Sequence, residues 1–262
     1  MADHVGWTGS RKIRAGQRPP LVYRQAGATM MAFAIVIVLV PHLSAAWLVM
    51  TPPATLIALL IHAAISAIAL ARLDTYPHSR FGAANMVTTS RAALAAVIGG
   101  IVLAGDAPHS SWTMSLFVAG AAAISLALDG IDGYLARRSG LVSHYGARFD
   151  MEVDALLIFL LTMAVFLQEK TGMWVLLIGL MRYGFLLLQA SFRRLRGELP
   201  ASHRRKVICV VQGASLCIAL APTIPHPLQV SLLAMALLSL AYSFAVDVLY
   251  LFRESRRHRD EF

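Results

Sequence analysis

The sequence predicts an all-α, polytopic membrane helix bundle: a six-span body preceded by a two-helix hairpin. Three observations carry this expectation. The chain is 58% hydrophobic and only 14% charged, whereas a soluble domain carries about 25% charged residues. Eight apolar stretches are each long enough to cross about 30 Å of hydrocarbon at about 1.5 Å per residue. The basic residues also alternate by side, as a multi-span weave requires.

The stretches lie near 29–50, 54–71, 83–104, 113–136, 149–167, 173–192, 207–222 and 227–252. Helices are expected throughout, because a lone segment in lipid must satisfy its own backbone hydrogen bonds. Residues 1–28 read as a basic, flexible cytoplasmic arm. The first stretch is too long for a signal peptide, follows a polar leader and lacks a clear small-residue cleavage site, so it reads as a retained helix. Pro41 should kink it, since proline removes a backbone hydrogen bond. Residues 29–72 form the N-terminal hairpin, and a polar linker from Arg72 to Arg80 separates it from the body at 81–252. A short tail, 253–262, closes the chain.

The net charge of +9 invites a nucleic-acid reading, but its distribution argues for topology. Of the 23 Lys and Arg, all but Lys170 and Arg182 fall on one side of an eight-helix weave. The positive-inside rule then places both termini and the basic loops in the cytoplasm, as expected of an integral inner-membrane protein. Cys209 and Cys217 share one span, match no metal-ligand spacing and read as core packing.

Acidic residues are scarce and costly inside spans, by about 2.5–3.5 kcal/mol each on insertion scales. Yet Asp129, Asp132, Asp150, Glu152 and Asp154 crowd into one short region. Asp129 and Asp132 share a helical face, as do Asp150 and Asp154, and the basic loop between them makes the two helices a hairpin. Four carboxylates would therefore converge near its cytoplasmic end. They would repel unless cations balanced them, and oxygen ligands suit Mg2+ or Mn2+. Glu152, two residues from Asp150, points elsewhere. The plain alternative is a structural network with the neighbouring arginines Arg137, Arg138 and Arg148. Gly130 and Gly133 flank Asp132 and lower helix propensity, as a ligand lying against the backbone would require. Gly146 opens the returning helix.

Taken together, Asp129-x2-Asp132-Gly133-x2-Ala136-Arg137-x8-Gly146-x3-Asp150-x3-Asp154 resembles the signature of the CDP-alcohol phosphotransferase family at every fixed position. Eight fixed residues at about one in twenty each make a chance match of roughly 10⁻¹⁰ per starting point. The resemblance covers the six-span body; the hairpin departs from it. It implies transfer of a phosphatidyl group from a CDP-linked donor, usually CDP-diacylglycerol, to an alcohol, with release of CMP. It further implies two divalent ions on Asp129, Asp132, Asp150 and Asp154, with Asp154 as general base. Gly133, Ala136 and Gly146 would admit the donor, Arg137 would lie near its phosphates, and the enzyme would be a homodimer.

Upstream, Asn85-x2-Thr88-x2-Arg91 resembles the element opening the first core helix of phosphatidylglycerophosphate synthases, although Ala84 replaces the usual preceding proline. The spacing of three puts these residues on one face. Asn85 and Thr88 are then donor-site candidates and Arg91 a phosphate ligand, the alternative being an interhelical hydrogen-bond set. Arg193, Arg205 and Lys206, in a basic cluster with Arg194, Arg196 and Arg204, could bind a phosphorylated acceptor such as glycerol 3-phosphate or simply flank a span. Arg182, within a span, needs an anionic partner: a substrate phosphate, or Asp247. A transporter would use similar acids, but no inverted repeat or broken mid-depth helix is visible. An inactive scaffold would not keep all four aspartates.

Overall fold

The structure, a computed structural model, describes residues 20–43, 50–105, 112–169, 171–192 and 202–260. Eight α-helices follow in chain order: α1 (Pro20–Leu43), α2 (Pro52–Ala71), α3 (Ala83–Ala104), α4 (Trp112–Ser139), α5 (His144–Leu167), α6 (Leu176–Ser191), α7 (His203–Leu220) and α8 (His226–Asp260). No strand occurs among the described residues. The expected all-helical, polytopic bundle is the fold.

Six of the helices, α1 to α4, α6 and α8, are long and apolar enough to cross a membrane. α5 and α7 carry more charge: Arg148, Asp150, Glu152 and Asp154 early in α5, and Arg204, Arg205 and Lys206 at the start of α7. Helix ends differ from expectation at both termini. α1, described from Pro20, takes in the last part of the segment expected to be a flexible arm. Pro41 lies within α1, near the end of its described residues. α8 continues to Asp260, through most of the expected tail.

The central post is α3, which touches α1, α2, α4 and α5 and is buried along most of its length. Its surface is small: Ala92, Ala93, Ala95, Ala96, Gly99 and Gly100 are all buried. In lipid, helices gain little from hiding apolar surface and associate through close packing instead. A Cβ on Gly100 would stand 2.3 Å from the Ala54 carbonyl oxygen of α2. One on Gly99 would stand 2.7 Å from Ile61 Cδ1. Sparse polar contacts then set register. His62 Nε2 on α2 lies 3.0 Å from the Met30 carbonyl of α1, and the Phe81 N–H donates to Gln25 Oε1 at 3.0 Å.

α4 and α5 form a tight hairpin that levels the acidic residues. Gly140 follows α4 with φ +68°, a left-handed conformation that glycine adopts without Cβ strain. Ser143 then caps α5, its Oγ accepting from the Gly146 N–H at 3.0 Å. Asp129 and Asp132 lie about two to three turns before the turn, Asp150 and Asp154 about two to three turns after it. They meet at one depth.

Gly100→Ala forces a side chain into the α2 backbone and should cost about 1–3 kcal/mol. Gly120→Ala, with nothing within 4 Å, should be neutral or slightly stabilising. Melting temperatures of the two variants in detergent provide the comparison.

Candidate active site

The four aspartates meet around a side chain from a third helix. Arg91 of α3 is wholly buried, at 0% exposure. Its Nε donates to the Ser125 carbonyl of α4 at 3.1 Å, which fixes the guanidinium plane. Nη1 sits 2.9 Å from Asp129 Oδ1 and 3.1 Å from Asp132 Oδ2 and also donates to Asp150 Oδ1. Nη2 donates to Asp154 Oδ1. The Thr88 hydroxyl, one turn before Arg91, donates to Asp132 Oδ2 at 3.2 Å. Asp132 is the most enclosed of the four, with 7% of its side chain exposed.

One cation against four carboxylates leaves the cluster strongly negative. A buried charge excess of this kind is expensive without further counter-ions. Ligand oxygens of Asp129, Asp132 and Asp150 lie within 4.8 Å of one another, a spacing that suits shared coordination of a hard divalent cation. Asp154 is held on the other guanidinium nitrogen. The donor set fits a divalent metal in chemistry and in charge.

The arginines nearest in sequence are not the partners of these acids. Arg138 Nη1 lies 3.1 Å from the Tyr134 hydroxyl, and the Arg137 guanidinium folds back along α4, 3.4 Å from where a Gly133 Cβ would stand. Among the described residues, neither they nor Arg148 pairs with these acids. Gly133 and Ala136 follow Asp132 along α4, half-buried, and a Cβ on Gly130 would meet nothing within 4 Å. The helix is thus open beside the acids.

Asn85 and Gly146 sit together, about one helical turn from Thr88 and Asp150 respectively. A Cβ on Gly146 would stand 3.0 Å from Asn85 Oδ1, so the missing side chain lets α5 start against α3. Tyr76 packs there edge-on to Tyr145, with ring centroids 5.4 Å apart, and donates to the Arg80 carbonyl at 3.0 Å. Burial holds the Tyr76 phenol above its ordinary range.

The distant cations separate into pairs. Arg182 pairs with Glu152 at 3.5 Å, not with Asp247, which was its expected partner inside the protein. Asp247 instead binds Arg204, and Arg205 at 3.4 Å, because the start of α7 packs beside α8. Glu152 faces away from the four aspartates, as its spacing predicts. Lys206 is exposed. Arg193, with Arg194 and Arg196, lies outside the described residues. Two contributors escaped notice in the sequence: the Ser125 carbonyl and the partnership of Glu152 with Arg182. Ser125 stands one turn before Asp129, the only hint available.

A helical membrane bundle that gathers oxygen-only ligands at one depth has the makings of a metal-dependent enzyme. The chain belongs to the CDP-alcohol phosphatidyltransferase family, whose model matches residues 81–246. No curated protein and no solved structure matches it. Membership points to transferase activity on a CDP-alcohol with an alcohol acceptor, within a membrane and dependent on a divalent metal.

Arg91→Gln removes the buried counter-ion and leaves the carboxylates facing one another. The loss should be about 3–5 kcal/mol in chelator. Magnesium or manganese should then raise the melting temperature of the variant more than that of the unmodified protein.

Proposed function

We propose that this protein is a phospholipid-synthesis enzyme that transfers a phosphatidyl group from CDP-diacylglycerol to a small alcohol, releasing CMP. The supporting observation is the meeting of Asp129, Asp132, Asp150 and Asp154, from two helices, around the Arg91 guanidinium. Asp129, Asp132 and Asp150 would hold the metal, with Asp154 completing the set. Two Mg2+ or Mn2+ ions, when bound, neutralise the donor diphosphate and polarise the phosphorus–oxygen bond that breaks.

The remaining chemistry belongs to side chains. Asp154 accepts the proton of the acceptor hydroxyl as its oxygen bonds to phosphorus and CMP departs. Its separate hold on Arg91 Nη2 supports a role distinct from the other three. Arg91 fixes the carboxylates before substrate arrives, so little reorganisation accompanies reaction. Thr88 orients Asp132. Gly133 and Ala136 leave room for the cytidine, Arg137 reaches the phosphates, and Asn85 with Gly146 shapes the floor of the donor site.

The acceptor is a phosphorylated alcohol such as glycerol 3-phosphate. It would be drawn by the basic cluster containing Arg193, Arg205 and Lys206, with Asp247 holding Arg204 and Arg205 in place. Arg91 and Arg182 serve as further phosphate candidates, although each already has acidic partners. All eight helices cross the inner membrane, with both termini and the site cytoplasmic. The body at 81–252 forms the catalytic domain, with the hairpin at 29–72 ahead of it, and two copies form a homodimer.

The test uses purified protein, radiolabelled CDP-diacylglycerol, a panel of alcohols and a divalent metal. Metal-dependent CMP release is expected with at least one acceptor. Asp154→Asn should slow turnover by about 10²–10⁴ while metal-stabilised melting persists. Asp150→Asn should weaken both. Unchanged turnover in both variants refutes the mechanism.

A further inference from the structure

The bundle contains a second recess, away from the four aspartates. A cleft of about 570 Å³ opens between α2, α5 and α6, within the roughly 300–1,000 Å³ typical of ligand sites. Its bed is apolar, formed by Ile65 and Ile68 of α2 with Val153 and Leu156 of α5. Arg72 and Arg148 also line it, brought to one end of the bundle because the Tyr145 hydroxyl of α5 donates to the Ala69 carbonyl of α2 at 3.1 Å.

This cleft does not share the acid site. At about 100° per residue, Phe149, Glu152 and Leu156 point between a third and a half of a turn away from the mean direction of Asp150 and Asp154. One acid, Glu152, lines the cleft, and it is engaged by Arg182. Arg72 and Arg148 are exposed and pair with no acid among the described residues. Apolar walls beneath two uncompensated guanidiniums, at the end of a membrane bundle, complement a molecule with a hydrocarbon tail and an anionic phosphate head.

We propose that the cleft holds one anionic glycerophospholipid, its phosphate on Arg72 and Arg148 and an acyl chain along Ile65, Ile68, Val153 and Leu156. The lipid is a resident ligand rather than the donor. It fills the seam between α2, α5 and α6, and so it steadies the position of α5, which carries Asp150 and Asp154.

The full chain, purified in maltoside micelles, is titrated with dioleoylphosphatidic acid, dioleoylphosphatidylcholine or inorganic phosphate, with melting temperature and native mass spectrometry as readouts. Phosphatidic acid should bind one per chain and raise the melting temperature, while the other two probes should not. Each arginine contributes about fivefold near a headgroup, so Arg72→Gln/Arg148→Gln should weaken binding about twenty-fivefold. Ile68→Trp, at an exposed position on the bed, should block it without disturbing the core. Asp150→Asn should bind phosphatidic acid like the unmodified protein, whatever becomes of its turnover. Equal binding of phosphatidylcholine or of phosphate alone overturns the proposal. So does undiminished binding in the arginine and tryptophan variants, or loss of binding in Asp150→Asn, which would place the lipid at the acids.

Discussion

A single buried guanidinium organises this molecule. Arg91 reaches four carboxylates and a main-chain carbonyl, and it does so from the most enclosed helix of the bundle. Burying an arginine without partners is prohibitive, and crowding four aspartates together, one of them buried, is costly as well. Each side makes the other tolerable, although the balance stays negative. α3, α4 and α5 are therefore tied at one depth by charge, in a medium where apolar packing alone discriminates weakly between registers.

Close backbone approach makes that tie reachable. Gly100 against Ala54 and Gly99 against Ile61 bring α2 onto α3. Gly146 lets the start of α5 settle against Asn85. The tight turn at Gly140 and the Ser143 cap place the two acidic pairs level with each other. The hairpin of α1 and α2, joined internally by His62, is bound into the same assembly through Gln25 and Tyr145. Its packing also leaves the apolar seam where two arginines stand without acidic partners.

The catalytic and electrostatic demands conflict in an informative way. A cluster meant only for stability would be neutral, and hydrophobic residues often serve as well or better. Here the negative excess is retained, and the adjacent stretch of α4 is left bare at Gly130 and carries only the folded-back Arg137 guanidinium at Gly133. Such features cost helix stability. They make sense where a metal and an anionic donor complete the charge balance.

Much of this was legible in residue order. Hydrophobic runs long enough for lipid dictate helices, and the Asp129 to Asp154 pattern identifies both the hairpin and the family. Spacing alone turns Glu152 away from the cluster. Partner choice across helices was not legible, because one-dimensional spacing reports faces and not neighbours. Arg91 was grouped with Asn85 and Thr88 by its interval of three, yet the fold gives Arg91 to the acids and Asn85 to Gly146. Charge alone offers Arg182 a substrate phosphate or Asp247, but the packing of α5 against α6, and of α7 against α8, gives it Glu152 and leaves Asp247 to Arg204 and Arg205. The helical bundle and its acidic motif follow from local composition and periodicity. Which cation neutralises which carboxylate depends on distances between helices, and only tertiary packing sets those.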